Sequence, residues 1–126
     1  MSSCIFCKLV AGELPSHKIY ETDDFLALLD INPHSPGHVQ VIPKKHYRWV
    51  WDVPHAGEYF EIVKKIALAQ RKAFKTDWVL SKIVGDEIEH AHIWVFPNTG
   101  VEGDPSNLVN NARLLRAALE EIEIKE

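Results

Sequence analysis

The chain has 126 residues, 46% of them hydrophobic and 25% charged, with a formal net charge of −4. That length lets one domain, residues 1–126, bury a core without disulfides, and the weak negative charge supplies no general field to draw nucleic acid or an anionic membrane. No long apolar run follows Met1, so neither a signal peptide nor a membrane span is expected, and the cytoplasm is the default location.

Ile5, Phe6, Leu9 and Val10 have helical spacing, which predicts a short opening helix over 5–11 that Gly12 ends and Pro15 keeps from resuming. Lys18-Ile19-Tyr20 and Phe25 to Leu29 read as two strands, with residues 21–24 as the turn between them. Asn32-Pro33-His34-Ser35-Pro36-Gly37 is a rigid loop, because two prolines fix φ and a glycine is free to take positive φ. His38 to Ile42 alternates as a third strand, stopped by Pro43. A central helix follows, with Asp52 as its cap, Pro54 in its first turn, and Phe60, Val63, Ala67, Gln70 and Phe74 as its inward stripe. Trp78 to Val84 reads as a fourth strand and His90 to Phe96 as a fifth, joined by a turn at Gly85-Asp86-Glu87. The last helix has Asp104 as N-cap, Pro105 at its first position, and Leu108, Ala112, Leu115, Leu119 and Ile122 as its buried stripe. Five strands joined mostly by short turns, with helices inserted, predict an antiparallel α+β domain.

Two features carry chemistry. His90-Ala91-His92-Ile93-Trp94-Val95-Phe96 alternates with the strand period, so His90, His92, Trp94 and Phe96 share a face, the two imidazoles about 6–7 Å apart. A core strand has no packing reason to carry both histidines, although a half-exposed strand with solvated histidines has the same pattern. Cys4 and Cys7 are the only cysteines, and C-x-x-C in a reducing compartment is either half of a metal site or a redox pair. A redox motif should follow a strand, and only Met1-Ser2-Ser3 precedes Cys4, which speaks against that reading. A zinc half-site needs two further ligands, for which seven histidines are available.

Leu29-Asp30-Ile31-Asn32-Pro33, Pro36-Gly37-His38-Val39, Val41-Ile42-Pro43-Lys44-Lys45-His46 and His90 through Pro97, in that order, together resemble the histidine-triad (HIT) family. The opening Cys4 to Pro15 also looks like that family's N-terminus. The resemblance implies a HIT-like α+β fold: a five-stranded antiparallel sheet with a central helix and a C-terminal helix. It implies a nucleotide-binding hydrolase or transferase acting at the α-phosphate of nucleotide derivatives, such as nucleoside phosphoramidates or dinucleoside polyphosphates. His92 would be the nucleophile that forms a nucleotidyl-histidine, its other ring nitrogen fixed by a hydrogen bond to set the tautomer. His38 would lie beside the phosphate and Asp30 would bind the ribose hydroxyls. Ile5, Phe6, Leu9 and Leu14 would wall a purine base, with core packing the competing role for each. Cys4, Cys7, His46 and His90 would complete a tetrahedral Cys₂His₂ zinc shell, structural because no position remains for substrate. A homodimer joined through the central helix and an edge strand is also implied.

The chain departs from the family pattern in two places. Trp94 stands where the third triad histidine belongs; it can border the nucleotide and offer one N–H donor, but it cannot give a leaving group a proton. Asp86 follows Gly85 where the family has an amide, in a shorter loop. Both changes touch phosphate handling, so the alternative to an enzyme is a zinc-stabilised nucleotide-binding module with weakened catalysis. A purely structural zinc domain is the third reading.

Overall fold

The structure is a computed structural model that describes residues 4–125. Helix α1 (Ile5–Val10) is capped by Cys4, whose Sγ accepts from the Cys7 N–H, and it ends where Gly12 takes φ +78°. Strands β1 (Lys18–Glu21) and β2 (Phe25–Leu29) form a hairpin in which Thr22 Oγ1 accepts the N–H groups of Asp24 and Phe25. β3 (Val39–Pro43), β4 (Val79–Lys82) and β5 (Ile93–Pro97) complete an antiparallel sheet of order β1-β2-β3-β5-β4. The expected α+β architecture is therefore present.

The sheet buries both faces at its centre, which is why β2 and β3 read as nearly continuous apolar runs. Phe25, Ala27, Leu29, Val39, Val41, Ile93 and Val95 pack with helices α2 (Ala56–Ala73) and α3 (Leu108–Lys125). Leu26, Leu28 and Ile42 belong to a smaller cluster with Phe6 of α1. In register, Gln40 lies opposite Trp94 and Val39 opposite Val95.

Five local expectations shift. α2 begins at Ala56 with His55 in the N-cap position, after a 3-10 turn at Val50–Asp52; Pro54 holds Val53 extended (ψ 120°), so Asp52 is cut off from the helix and does not cap it. Its buried stripe is Tyr59, Ile62, Ile66, Ala69 and Gln70, with Phe74 just beyond; Phe60 is exposed. Tyr59 faces inward with Ile62, Ile66 and Ala69, and its buried hydroxyl is satisfied by donating to Val41 O at 2.7 Å. Asp104 is not the cap of α3: it accepts from Ser106 in a local turn, and Asn107 Oδ1 takes the Asn110 N–H instead. The fifth strand starts at Ile93, since the Ala91 N–H leaves the ladder for Tyr47 O (2.7 Å). The fourth is confined to Val79–Lys82.

Candidate functional site

α1 lies over the sheet so that its N-terminus meets the loop after β3 and the residues before β5. Cys4, Cys7, His46 and His90 converge there, each offering one ligand atom, all within 4.8 Å of one another. His90 is fully buried, and its Nε2–H donates to Pro43 O at 2.8 Å, which leaves Nδ1 as a lone pair. That Nδ1 lies 3.4 Å from Cys4 Sγ, 3.5 Å from Cys7 Sγ and 3.2 Å from His46 Nδ1, and His46 Nδ1 is 3.3 Å from Cys7 Sγ. A tetrahedral zinc shell with bonds of ~2.3 Å to sulfur and ~2.05 Å to nitrogen sets N–N pairs about 3.3 Å and N–S pairs about 3.6 Å apart. The four side chains fit such an ion. Burial also favours the neutral form of His90 that a metal ligand requires.

Beside this cluster, His92 is 4% exposed and its Nδ1–H donates to His90 O at 2.7 Å. The carbonyl partner fixes the tautomer, so Nε2 carries the lone pair, and it has no hydrogen-bond partner among the described residues. The Phe6 ring packs against both His92 (5.3 Å) and His90 (5.7 Å). Leu9 packs on the Phe6 cluster, whereas Ile5 (43% exposed) and Leu14 (37%) face solvent.

Toward the end of β2, Asp30 Oδ1 accepts the Asn32 N–H and Oδ2 accepts Gln40 Nε2–H, both at 2.8 Å. Gln40 must be oriented this way, because the reversed amide would set its oxygen against a carboxylate. Buried His38 accepts the His34 N–H on Nδ1 (3.1 Å), so its proton is on Nε2, 3.6 Å from Asp30 Oδ2. Burial is the main cause that lowers the His38 pKa to about 4; nearby His34 adds to this and Asp30 opposes it, and the ring is neutral near pH 7. Trp94 is partly exposed, yet its Nε1–H is buried and without a partner among the described residues, as are His38 Nε2 and Gln40 Oε1. Asp86 is exposed on a loop held by Arg48, which donates to Gly85 O (2.6 Å) and stacks on Trp49 (3.8 Å).

Two site residues were missed in the sequence. Gln40 carried a signal, as the polar member of β3 in phase with His38. His34 carried none beyond its loop; its ring stacks over Phe96 and lies against Trp94 and His38.

An antiparallel five-stranded α+β sheet with paired histidines entering its fifth strand and an acidic residue ending its second defines a histidine-triad protein. A profile described as HIT domain matches residues 11–101, and the chain belongs to the HIT family. It is 36% identical over 107 residues to an uncharacterized HIT-like protein of Methanocaldococcus jannaschii, covering 80% of this chain and 81% of that one. It is 39% identical over 101 residues to Saccharomyces cerevisiae adenosine 5'-monophosphoramidase HNT1, covering 76% of this chain and 63% of that one. Among solved structures, a zinc-bound histidine triad family protein from Mycobacterium smegmatis superposes with a TM-score of 0.85 at 32% identity, covering 98% of each chain.

Proposed function

We propose that the chain is a nucleotide hydrolase or transferase acting at the α-phosphate, with His92 as the nucleophile. The observation that carries this reading is the His92 Nδ1–His90 O bond, which leaves Nε2 as a nucleophilic lone pair. Asp30, held by Gln40 and the Asn32 N–H, retains lone pairs for ribose hydroxyls, with neutral His38 behind it. Exposed Ile5 and Leu14, together with half-buried Leu9, supply apolar surface that a purine would cover, and buried Phe6 backs it. The ring of Trp94 borders the phosphate side. The likeness to a yeast adenosine monophosphoramidase supports phosphoramidates as substrates. The test is mass spectrometry of the protein quenched during turnover of an adenosine 5'-phosphoramidate, with an adenylyl group on His92 expected and none in His92→Asn. Nucleotide binding with neither adduct nor turnover would favour the binding-module reading.

Zinc on Cys4, Cys7, His46 and His90 belongs to the same proposal. The ligand spacings fit a closed tetrahedral shell, and the M. smegmatis relative is zinc-bound. Such an ion would tie α1 to the sheet and leave the phosphate chemistry to the histidines. Pairing into a homodimer through edge strand β4 and α2 is also proposed, supported by the position of β4 at the end of the sheet and by exposed Trp78 and Phe60 close to these elements. A single domain over residues 1–126, located in the cytoplasm and binding neither membrane nor nucleic acid, completes the reading. Among the described residues, no helix is long and apolar enough to cross a membrane.

A further inference from the structure

We propose that His34 is the proton donor to the leaving group, an inference that rests on the reaction proposed above. A P–N bond to a basic amine breaks readily only if the departing nitrogen receives a proton. The groups around the site are largely committed elsewhere. His92 gives its Nδ1–H to a carbonyl and attacks with Nε2. His90 is bound through Nε2–H to Pro43 O, with Nδ1 toward the cysteines. The Nε2–H of His38 is buried, and with its pKa lowered to about 4 the ring has no imidazolium form near neutral pH. The indole N–H of Trp94 is buried and does not titrate.

His34 is free of these commitments. It is exposed, and neither ring nitrogen hydrogen-bonds to a described residue. Its ring lies 5.2 Å from Trp94, 5.3 Å from His38 and 5.4 Å from Phe96, at 27° to the last. The loop is held in place by Ser35 Oγ–H on Pro97 O (2.6 Å), by Gly37 at φ +77° and by the His34 N–H on His38 Nδ1. Trp94 follows His92 by two residues, about 6–7 Å of extended chain, and the His34 ring lies against Trp94, so a leaving atom that departs from a phosphorus at His92 Nε2 toward Trp94 would come to the edge of the His34 imidazole, where its N–H bonds lie. The charged and titratable groups around this patch are His38 at the start of β3, Asp30 behind it, and Lys82 of β4, whose ammonium is 5.7 Å from the Trp94 ring.

In the first step the His92 Nε2–P bond forms and the P–N bond to the amine breaks. The amine nitrogen takes that electron pair and one proton from the His34 imidazolium, and leaves neutral. In the second step water attacks phosphorus, His92 recovers the electron pair of its bond to phosphorus, and one water proton returns to His34. The products are the nucleoside monophosphate and the amine.

The test compares full-length wild type, His34→Gln and His34→Phe (which keeps the stack on Phe96) on two substrates: an adenosine 5'-phosphoramidate of an alkyl amine, and an adenosine 5'-phosphate ester of 4-nitrophenol. Both variants should lose about 10²-fold or more in kcat/KM on the alkyl amine, the usual size of acid assistance, and change by less than about 3-fold on the ester. Their alkyl-amine pH profiles should lose the basic limb, and Trp94→His placed in the His34→Gln background should restore turnover. Parallel losses on both substrates, or none on either, would overturn the role of His34 while leaving the His92 reading intact. No turnover of either substrate by wild type would remove both.

Discussion

Gln70 offers a test of how the site is held. Its side chain is fully buried in α2, and Nε2 donates to Gly37 O (2.9 Å) and Val95 O (2.8 Å), while Oε1 has no partner. One amide therefore ties the turn before His38 to the strand that carries Trp94. Gln70→Leu keeps the volume and removes both donated bonds, leaving two buried carbonyls short of a donor at about 1–3 kcal/mol each. The same change removes the unpartnered Oε1, which returns about 1–3 kcal/mol. The net is a destabilisation of about 2 kcal/mol. With an unfolding entropy of about 2.1 cal/mol/K per residue over 126 residues, Tm should fall by about 8 °C. Gln70→Glu should fall further, because a carboxylate would face both carbonyls with no proton to give near pH 7. Thermal and urea unfolding at one fixed protein concentration measure this. A Leu variant within about 0.5 kcal/mol of wild type, or a Glu variant as stable as the Leu one, would refute the reasoning.

Three further outcomes are expected. Protein purified without chelators should carry one zinc per chain by elemental analysis, and Cys4→Ser should lower Tm and abolish its sensitivity to chelator; zinc-free protein would end that proposal. His38 ordinarily titrates near 6.5 and is held to about 4 when folded, so the unfolded chain takes up its proton first as pH falls. Its contribution is whole above pH 6.5 and is lost toward pH 4, about 3 kcal/mol in all. His38→Gln should flatten the stability curve across that window, and parallel curves would count against a buried neutral imidazole. Sedimentation should show a species of twice the chain mass, and a single 14.4 kDa species at micromolar concentration would exclude the dimer.

What could be read from the sequence was whatever depends on spacing along one element. The β2 and β3 runs, the stripe Ala112, Leu115 and Leu119 of α3 and the C-x-x-C at the start of α1 all follow from one element's period. What could not be read depends on how elements rotate or turn toward each other. Tyr59 and Phe60 are neighbours on α2, and the rotation that buries Ile62, Ile66 and Ala69 takes Tyr59 inward, where its hydroxyl donates to Val41 O. Asp52-Val53-Pro54 has the composition of a helix start, but Asp52 ends a 3-10 turn and Val53 is extended. His34 lies between prolines that fix its backbone without indicating which side of the loop its ring takes. Gln40 is visible as a polar strand residue, but its hold on Asp30 and its place opposite Trp94 exist only in the register.

His90 links the Cys₂His₂ cluster to the proposed chemistry through four separate atoms or surfaces. Its Nε2 is anchored to Pro43 at the end of β3, its Nδ1 faces the two cysteines and His46, its carbonyl oxygen sets the tautomer of His92, and its ring shares Phe6 with the His92 ring. A shift of α1 therefore disturbs the orientation of His92 and not only the local packing. The leaving-group side has no such link: His34, His38, Trp94 and Phe96 contact one another and are tied to α2 through Gln70. Damage on the α1 side should slow every substrate alike, because it moves the attacking atom. Damage on the His34 side should discriminate among leaving groups, because it moves the proton. Tryptophan in place of the third histidine touches only the second half, so on the proposed reading His92 is retained as nucleophile while the acid comes from a loop.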